Sequence, residues 1–331
     1  PEVPCNRPAS SSLTRRWPDS SDLMTRFIAI FLTGCVRFMA HFPLRWLHAI
    51  GAPVGWLVYW ASPSYRRRFR ANVAQAGVPW AQARDAIAAS GRMMMELPPL
   101  WLRPPDEPLP VRVQWQGGEL IEAAQAAGRG LVMLTPHLGC FEAIGQSYAQ
   151  RYGAGRGAMT VLYRPARKPW LRDLVEAARR RPGLDAAPAT LAGVRQMIRA
   201  LRRGEVVGLL PDQVPPEGLG VWAPFFGKPA YTMTLAARLV QQTGAALLLV
   251  WGERLPRGEG YCVRVSELGD ALPADAADAA AVINRAMEGL ILQCPQQYLW
   301  GYQRYKRPRR GALGSSAGAP PAPPAGTGAS S

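Results

Sequence analysis

The chain has 331 residues, 48% of them hydrophobic: material for one large or two ordinary domains, and a composition unlike a disordered polymer or a multi-span transporter. Thirty-nine Lys and Arg against 23 Asp and Glu give a formal net charge of +16, which points to an anionic partner such as nucleic acid, an anionic membrane surface or an acidic protein. Five scattered Cys without a C-x-x-C, and three His of which two lie near the amino end, argue for a reducing compartment and against a disulfide framework, a zinc framework or a multi-histidine metal site.

Residues 1–23 are polar, rich in Pro and Ser and free of any hydrophobic period, so they read as a disordered extension, with Met24 as the expected biological start. Two apolar runs follow, FIAIFLTGCV (27–36), cut by Arg37, and IGAPVGWLVYWA (50–61), which ends before Arg66, Arg67, Arg68 and Arg70. Neither reaches the ~20 apolar residues of a clean span. No small-x-small cleavage site with a polar mature start follows the first run, so a signal peptide is not favoured. Trp46, Trp56, Tyr59 and Trp60 beside those arginines suit a membrane interface with anionic lipid. Residues 24–61 are therefore expected to be membrane-associated helices, either a single anchor or a hairpin in the interface.

A helix is expected over 80–97, its Met93–Met95 triplet read as core filler, and the Pro-rich stretch 98–110 as a linker that closes a helical segment, 62–110. From 111 the pattern alternates. Strands are expected at 111–115, 130–135, 159–163, 205–211, 246–251 and 261–265. Helices are expected after the first strand and at 139–152, 169–181, 190–203, 232–243 and 275–293. Apolar strands alternating with helices predict an α/β domain over 111–310, a mixed, largely parallel sheet flanked by helices. Residues 311–331 carry no charge and read as a disordered tail.

Three places could carry chemistry. His137, in LVMLTPHLGCFEAIG, follows a buried strand and precedes a helix, and in open α/β sheets ligands gather at the carboxyl ends of strands. Glu142 lies five residues on. Along one continuous helix that spacing is about 140° of rotation, but from a loop His137 the carboxylate can fold back to the imidazole, fix its tautomer and leave the other nitrogen as a base. The bland alternative is a satisfied loop histidine. Asp212 and Gln213 follow another buried strand and should open on the same edge, unless Asp212 is only a turn cap. Arg164 ends a third strand and opens a run of seven basic and two acidic residues over 164–181, suited to phosphate or an acidic protein surface. A Walker A motif and a G-x-S-x-G elbow are absent, and GAGRGA (153–158) precedes a strand instead of following one, the reverse of the dinucleotide context.

Taken together, HLGCFE with its H-x4-E spacing, LYRP, GLLPDQ, GVWAPFFGKPA and the closing QYLWGYQRYKRP resemble the lipid A biosynthesis late acyltransferases, the lauroyl/myristoyl transferases of Gram-negative bacteria, over roughly residues 24–308. These belong to the H-x4-[D/E] glycerolipid acyltransferase superfamily. The resemblance implies a glycerolipid-acyltransferase-like fold and an inner-membrane enzyme with its catalytic face in the cytoplasm. It implies an acyl donor on acyl carrier protein, a lipid A precursor as acceptor, and no metal or organic cofactor. Phe141 stands where the family commonly has Trp, and the FPEGTR block of the phosphatidic-acid-forming branch is absent.

On this resemblance His137 Nε2 is the general base that deprotonates the acceptor hydroxyl for direct attack on the thioester, without an acyl-enzyme. Glu142 orients and charge-stabilises His137, Arg164 binds a phosphate or the oxyanion, and Asp212 with Gln213 positions His137, Arg164 or the sugar. An apolar groove must hold the acyl chain, with FFGKPAYTM and the amino-terminal aromatics as candidates. The basic excess would meet acidic acyl carrier protein and the phosphorylated glycolipid. Rival readings are acyl transfer to a lyso-phospholipid or an amino-acid lipid, a lipid hydrolase using the same pair on water, and a non-enzymatic protein that binds anionic membranes. Nucleic acid is the weakest partner, because no recognised binding module is present.

Overall fold

The computed structural model describes residues 34, 36–163 and 181–309. Residues 1–33, which hold most of the first apolar run, Arg164, residues 169–180 of one expected helix and the tail 311–331 lie outside the described residues.

The longer amino-terminal helices are α1 (Leu44–Ala61), α2 (Pro63–Gln75) and α3 (Asp85–Leu102), with a single helical turn, Trp80–Ala83, before the last. α2 starts where the sequence says it should, with Ser62 accepting from the Tyr65 N–H and Pro63 at the first helical position. The second apolar run is thus the body of α1. Among the described residues no helix is long and apolar enough to cross a membrane. α1 and α3 cross at Gly51, Gly55 and Gly91. A Cβ on Gly51 would stand 2.7 Å from the Arg92 Cα, and one on Gly91 2.5 Å from the Gly55 backbone nitrogen, so only glycine allows this approach. α3 runs on through Pro98 and Pro99 to Leu102, into the stretch expected as linker. The packing of Pro98, Pro99 and Leu100 into the interior offsets what the prolines cost the helix.

The rest is built on a seven-stranded sheet of β1 (Val113–Gln116), β2 (Leu131–Leu134), β3 (Met159–Tyr163), β4 (Leu184–Pro188), β5 (Val206–Leu209), β8 (Ala246–Arg254) and β9 (Tyr261–Glu267). Their order across the sheet is β1-β9-β8-β2-β5-β3-β4. Every neighbouring pair is parallel except β8–β9. The mixed, largely parallel sheet expected from the apolar strand pattern is therefore present.

Helices cover both faces: α4 (Gly118–Ala126) and α5 (Phe141–Arg156) on one, α6 (Leu191–Arg202), α7 (Leu235–Thr243) and α8 (Ala276–Gln293) on the other. Central β2 shows the consequence of its two-residue period. Leu131 and Met133 pack with Ile121, Ile144 and Tyr148, while Val132 and Leu134 pack with Met197, Leu201, Ile283 and Met287.

Three strands were not legible. β4, LDAAP, is too weakly apolar to stand out. β6 (Gly220–Phe225) and β7 (Lys228–Met233) form a separate antiparallel hairpin with Gly220 opposite Met233. Arg181, from the basic run, is buried instead of solvated: its guanidinium donates to the carbonyls of Leu100, Arg103 and Pro104 and ties the end of α3 to the turn before β4.

Candidate active site

The loop between β2 and α5 carries His137, and its path is fixed by backbone bonds on both sides. Leu299 N–H donates to the His137 carbonyl at 3.1 Å, Gly139 N–H to the Gln297 carbonyl at 3.1 Å, and Cys140 N–H to the Gly252 carbonyl at 2.8 Å. Gly139 has φ +60°, and a Cβ there would collide with the Gly252 carbonyl, so the H-L-G order has a backbone reason. The segment after β5 delivers Asp212 and Gln213 to the same sheet edge.

Asp212 holds His137 twice. Its Oδ1 lies 2.7 Å from His137 Nδ1, and its Oδ2 accepts the His137 backbone N–H at 2.9 Å and the Tyr298 hydroxyl at 3.3 Å. Burial would push this carboxyl up. The charge and hydrogen bonds of His137, with Arg304 behind, outweigh burial and hold it below its usual range. An ionised Asp212 can only accept, so Nδ1 carries a proton, and in the neutral imidazole Nε2 then bears the lone pair. Gln213 Nε2 lies 2.9 Å from that second nitrogen and donates to it. The His137 side chain is 16% exposed and Asp212 only 2%, so the base is reachable and its partner is not. Phe141 packs edge-on to the imidazole with ring centroids 4.9 Å apart.

Glu142 opens α5, and its Oε2 accepts Trp101 Nε1–H at 3.4 Å. The carboxylate on Nδ1 is that of Asp212. Of the alternatives left open for Asp212, the geometry takes the one that positions His137. Arg164 lies outside the described residues. Among the described residues no three His, Cys, Asp or Glu side chains gather as metal ligands would.

A second buried ionic cluster, which sequence reasoning missed, stands behind the loop. Glu96 on α3 receives Arg254 through Nε at 2.5 Å and Nη2 at 2.8 Å, and His48 Nε2 of α1 lies 2.6 Å from it. Burial pushes Glu96 up, but the charge and hydrogen bonds of Arg254 and His48 bring it down to about 2. Gln297 links this cluster to the His137 loop, accepting Arg254 N–H at 2.9 Å while its own carbonyl takes Gly139 N–H. Nothing in the sequence pairs residues 48, 96 and 254; the only signal was a polar residue on the apolar stripe of α3.

A cavity of about 290 Å³ opens at His137, Asp212 and Gln213, walled by Val54 and Val58 of α1, Met93 and Met94 of α3, and Leu299, with Tyr65, Ser90, Tyr298 and Tyr302 also lining it. The methionine triplet is thus only partly core: Met93 is buried, while Met94 is 55% exposed at the rim. Of the two candidate grooves, the amino-terminal helix supplies aliphatic residues instead of its aromatics. FFGKPAYTM is the β6–β7 hairpin, whose Phe225 and Tyr231 are buried.

Comparisons with known proteins give the family of the chain. The family described as bacterial lipid A biosynthesis acyltransferase matches residues 18–307. The chain is 30% identical over 221 residues to a lipid A biosynthesis lauroyltransferase of Escherichia coli K12, covering 65% of this chain and 69% of that protein. It is 27% identical over 194 residues to a palmitoleoyltransferase of the same organism and pathway, covering 58% and 60%. To a lipid A biosynthesis myristoyltransferase of that strain it is 24% identical over 234 residues, 69% of each chain.

Proposed function

The chain belongs to the bacterial lipid A biosynthesis acyltransferases, and from that premise we propose that it moves a fatty acyl chain from an acyl carrier protein thioester to a hydroxyl of a lipid A precursor. It works at the bacterial inner membrane with its catalytic region facing the cytoplasm, and His137 is the general base. The observation that carries the mechanism is the Asp212–His137–Gln213 chain, a reachable Nε2 lone pair opposite an Nδ1–H held by a buried carboxylate.

In the resting arrangement Gln213 caps Nε2, and the acceptor hydroxyl displaces that amide. Nε2 takes the hydroxyl proton as the oxygen bonds to the thioester carbonyl carbon, giving a tetrahedral oxyanion. The Gln213 amide released from Nε2 is then a neighbouring donor for that oxyanion. Collapse breaks the C–S bond, and the proton on Nε2 passes to the leaving thiolate. Ester and free thiol are formed, and the imidazole is neutral again. Asp212 keeps the tautomer and stabilises the imidazolium. Glu142 adds a second negative charge at the start of α5, and Arg164 is assigned to a phosphate or the oxyanion. The chemistry needs no metal or organic cofactor.

The test is transfer of a labelled lauroyl or myristoyl group from acyl carrier protein to a tetra-acylated, Kdo-bearing lipid A precursor, with folded His137→Ala alongside. Wild-type transfer with a loss of about a hundredfold or more in the variant is expected, the range of a missing general base. Equal transfer by both removes His137 from the mechanism. Transfer only to a lyso-phospholipid or an amino-acid lipid reassigns the acceptor.

A further inference from the structure

Helix α2 sorts its arginines by face. Arg66 donates to the Trp60 carbonyl and lies over the Trp60 ring, while Arg70 donates through Nε to the Tyr59 hydroxyl at 2.8 Å and lies over the Trp80 ring. At ~100° per residue Arg68 is turned roughly 200° from Arg66, onto the opposite flank, which it shares with Tyr65 and Asn72. Tyr65 lines the cavity at His137. Burial pushes the Tyr65 phenol up, and the Ser90 hydrogen bond and the nearby Arg68 charge pull against it. Arg68 Nε is buried and, among the described residues, has no hydrogen-bond partner.

The closing segment meets α2 on that same flank. Asn72 donates its amide to the Trp300 and Tyr302 carbonyls at 2.6 and 2.7 Å, and the Tyr65 ring fills the place that a Cβ on Gly301 would take. Tyr302 is also part of the cavity wall, and its hydroxyl accepts the Val214 N–H at 3.0 Å, one residue past Gln213. Lys306 Nζ stands 4.9 Å from the Tyr302 ring centroid. Two cations thus adjoin the cavity, Arg68 beside Tyr65 and Lys306 beside Tyr302. Neither forms an ion pair among the described residues.

A buried guanidinium nitrogen without a partner is costly, and the group that relieves it must bring acceptor oxygens and negative charge. A phosphate brings both: its oxygens match the planar guanidinium fork in pairs, and a lysine adds a mobile point charge. Both substrates of the acyl-transfer reading carry phosphate, the donor in the phosphopantetheine arm of acyl carrier protein and the acceptor on its sugars. Resting on that reading, we propose that Arg68 and Lys306 form a phosphate-binding subsite beside the cavity, which anchors one substrate while its reacting group stands at His137. Arg66 and Arg70, already engaged with α1 and Trp80, take no part in it.

The test uses the full chain in phospholipid nanodiscs and measures kcat and KM for each substrate separately. Arg68→Gln should raise KM about ten- to hundredfold for the substrate whose phosphate sits there, the range of a lost charge-assisted hydrogen bond, and leave kcat within about twofold. Lys306→Gln should raise the same KM by less. Arg68→Lys should recover part of the loss, because the charge returns without the fork. Arg195→Gln, an equal loss of charge at an exposed position outside the cavity lining, should leave both KM values unchanged.

Phosphate-free probes separate the two sources. An acceptor KM penalty that vanishes on the same glycolipid stripped of its phosphates assigns the subsite to the acceptor. A donor KM penalty, matched by weaker inhibition by free phosphopantetheine with inhibition by pantetheine unchanged, assigns it to the carrier arm. Either result supports the proposal. Unchanged KM for both substrates in Arg68→Gln overturns it, and so does a penalty that persists on the phosphate-free probes, since Arg68 then acts through packing. If the wild type forms no lipid product, the transfer reading fails and binding of the glycolipid decides the subsite. Binding of the phosphorylated form that falls in Arg68→Gln supports it, and equal binding overturns it.

Discussion

At the residue scale the decisive contact is Asp212 on His137 Nδ1. The imidazole has two nitrogens, and which one can act as a base depends on what the other bonds to. Asp212 is 75 residues away in sequence and is an acceptor through both oxygens. Asp212→Asn presents an N–H or a neutral oxygen in its place, which removes the charge that stabilises the imidazolium and loosens the tautomer. We expect Asp212→Asn to lower kcat by about a hundred- to ten-thousandfold with KM little changed. Glu142→Gln should cost less, because Asp212 still holds the ring. A larger loss in Glu142→Gln than in Asp212→Asn, measured on folded protein in the transfer assay, would return the orienting role to Glu142. His137 and Glu142 were legible from the H-x4-E spacing after a buried strand. The Asp212 pairing was legible only as one of three options.

At the element scale, α1 and α3 are held on the sheet by polar and steric devices. The Glu96–Arg254–His48 cluster is fully buried, so its charges have no water to fall back on. Glu96 has an ordinary value of 4.5 and is brought down to about 2 in the folded chain. A carboxyl lowered on folding stabilises above its ordinary value and loses that contribution as pH falls towards the folded value. The cluster should thus contribute about 3 kcal/mol above pH ~4.5, lost progressively towards pH ~2. Glu96→Gln should be about 3–5 kcal/mol less stable than wild type near neutrality. That gap should narrow as pH falls through this window, as read from urea midpoints at a series of pH values. A gap that does not change with pH would show that Glu96 is not ionised in the folded chain.

The helix crossing is the steric counterpart. Gly91→Ala puts a methyl against the backbone of Gly51 and Gly55. It should lower stability by about 1–3 kcal/mol, the usual cost of overpacking, with a lower thermal midpoint as the readout. Neither device was legible. Glycine in a helix reads as a weakness until its neighbour is known, and a lone Glu on an apolar stripe does not say which Arg it faces.

At the scale of the whole molecule, charge and exposed apolar surface fall together. Trp46, Ile50, Leu57, Val58 and Trp60 of α1 are all exposed, and Arg45 and Arg66 lie over the Trp46 and Trp60 rings. A helix with bulky apolar groups outward and arginines beside them suits the boundary of an anionic leaflet. Binding to anionic vesicles should weaken as salt rises. Trp46→Ala with Trp60→Ala should reduce the binding that remains at high salt, measured by co-sedimentation. Unchanged binding in the double variant would move membrane attachment away from α1.

The sequence by itself determined the sheet, because buried parallel strands need unbroken apolar runs and those runs are local. It determined the strand ends that carry His137 and Asp212, and the family, because blocks such as HLGCFE and GLLPDQ keep their order along the chain. Tertiary structure alone decided which carboxylate holds His137, which residues wall the cavity, and that α3 continues through two prolines. Each of these depends on contacts between segments tens to hundreds of residues apart, and such contacts leave no period or spacing in the sequence. The weakly apolar β4 and the β6–β7 hairpin were hidden for a related reason: their stability comes from the neighbours they pair with and pack against.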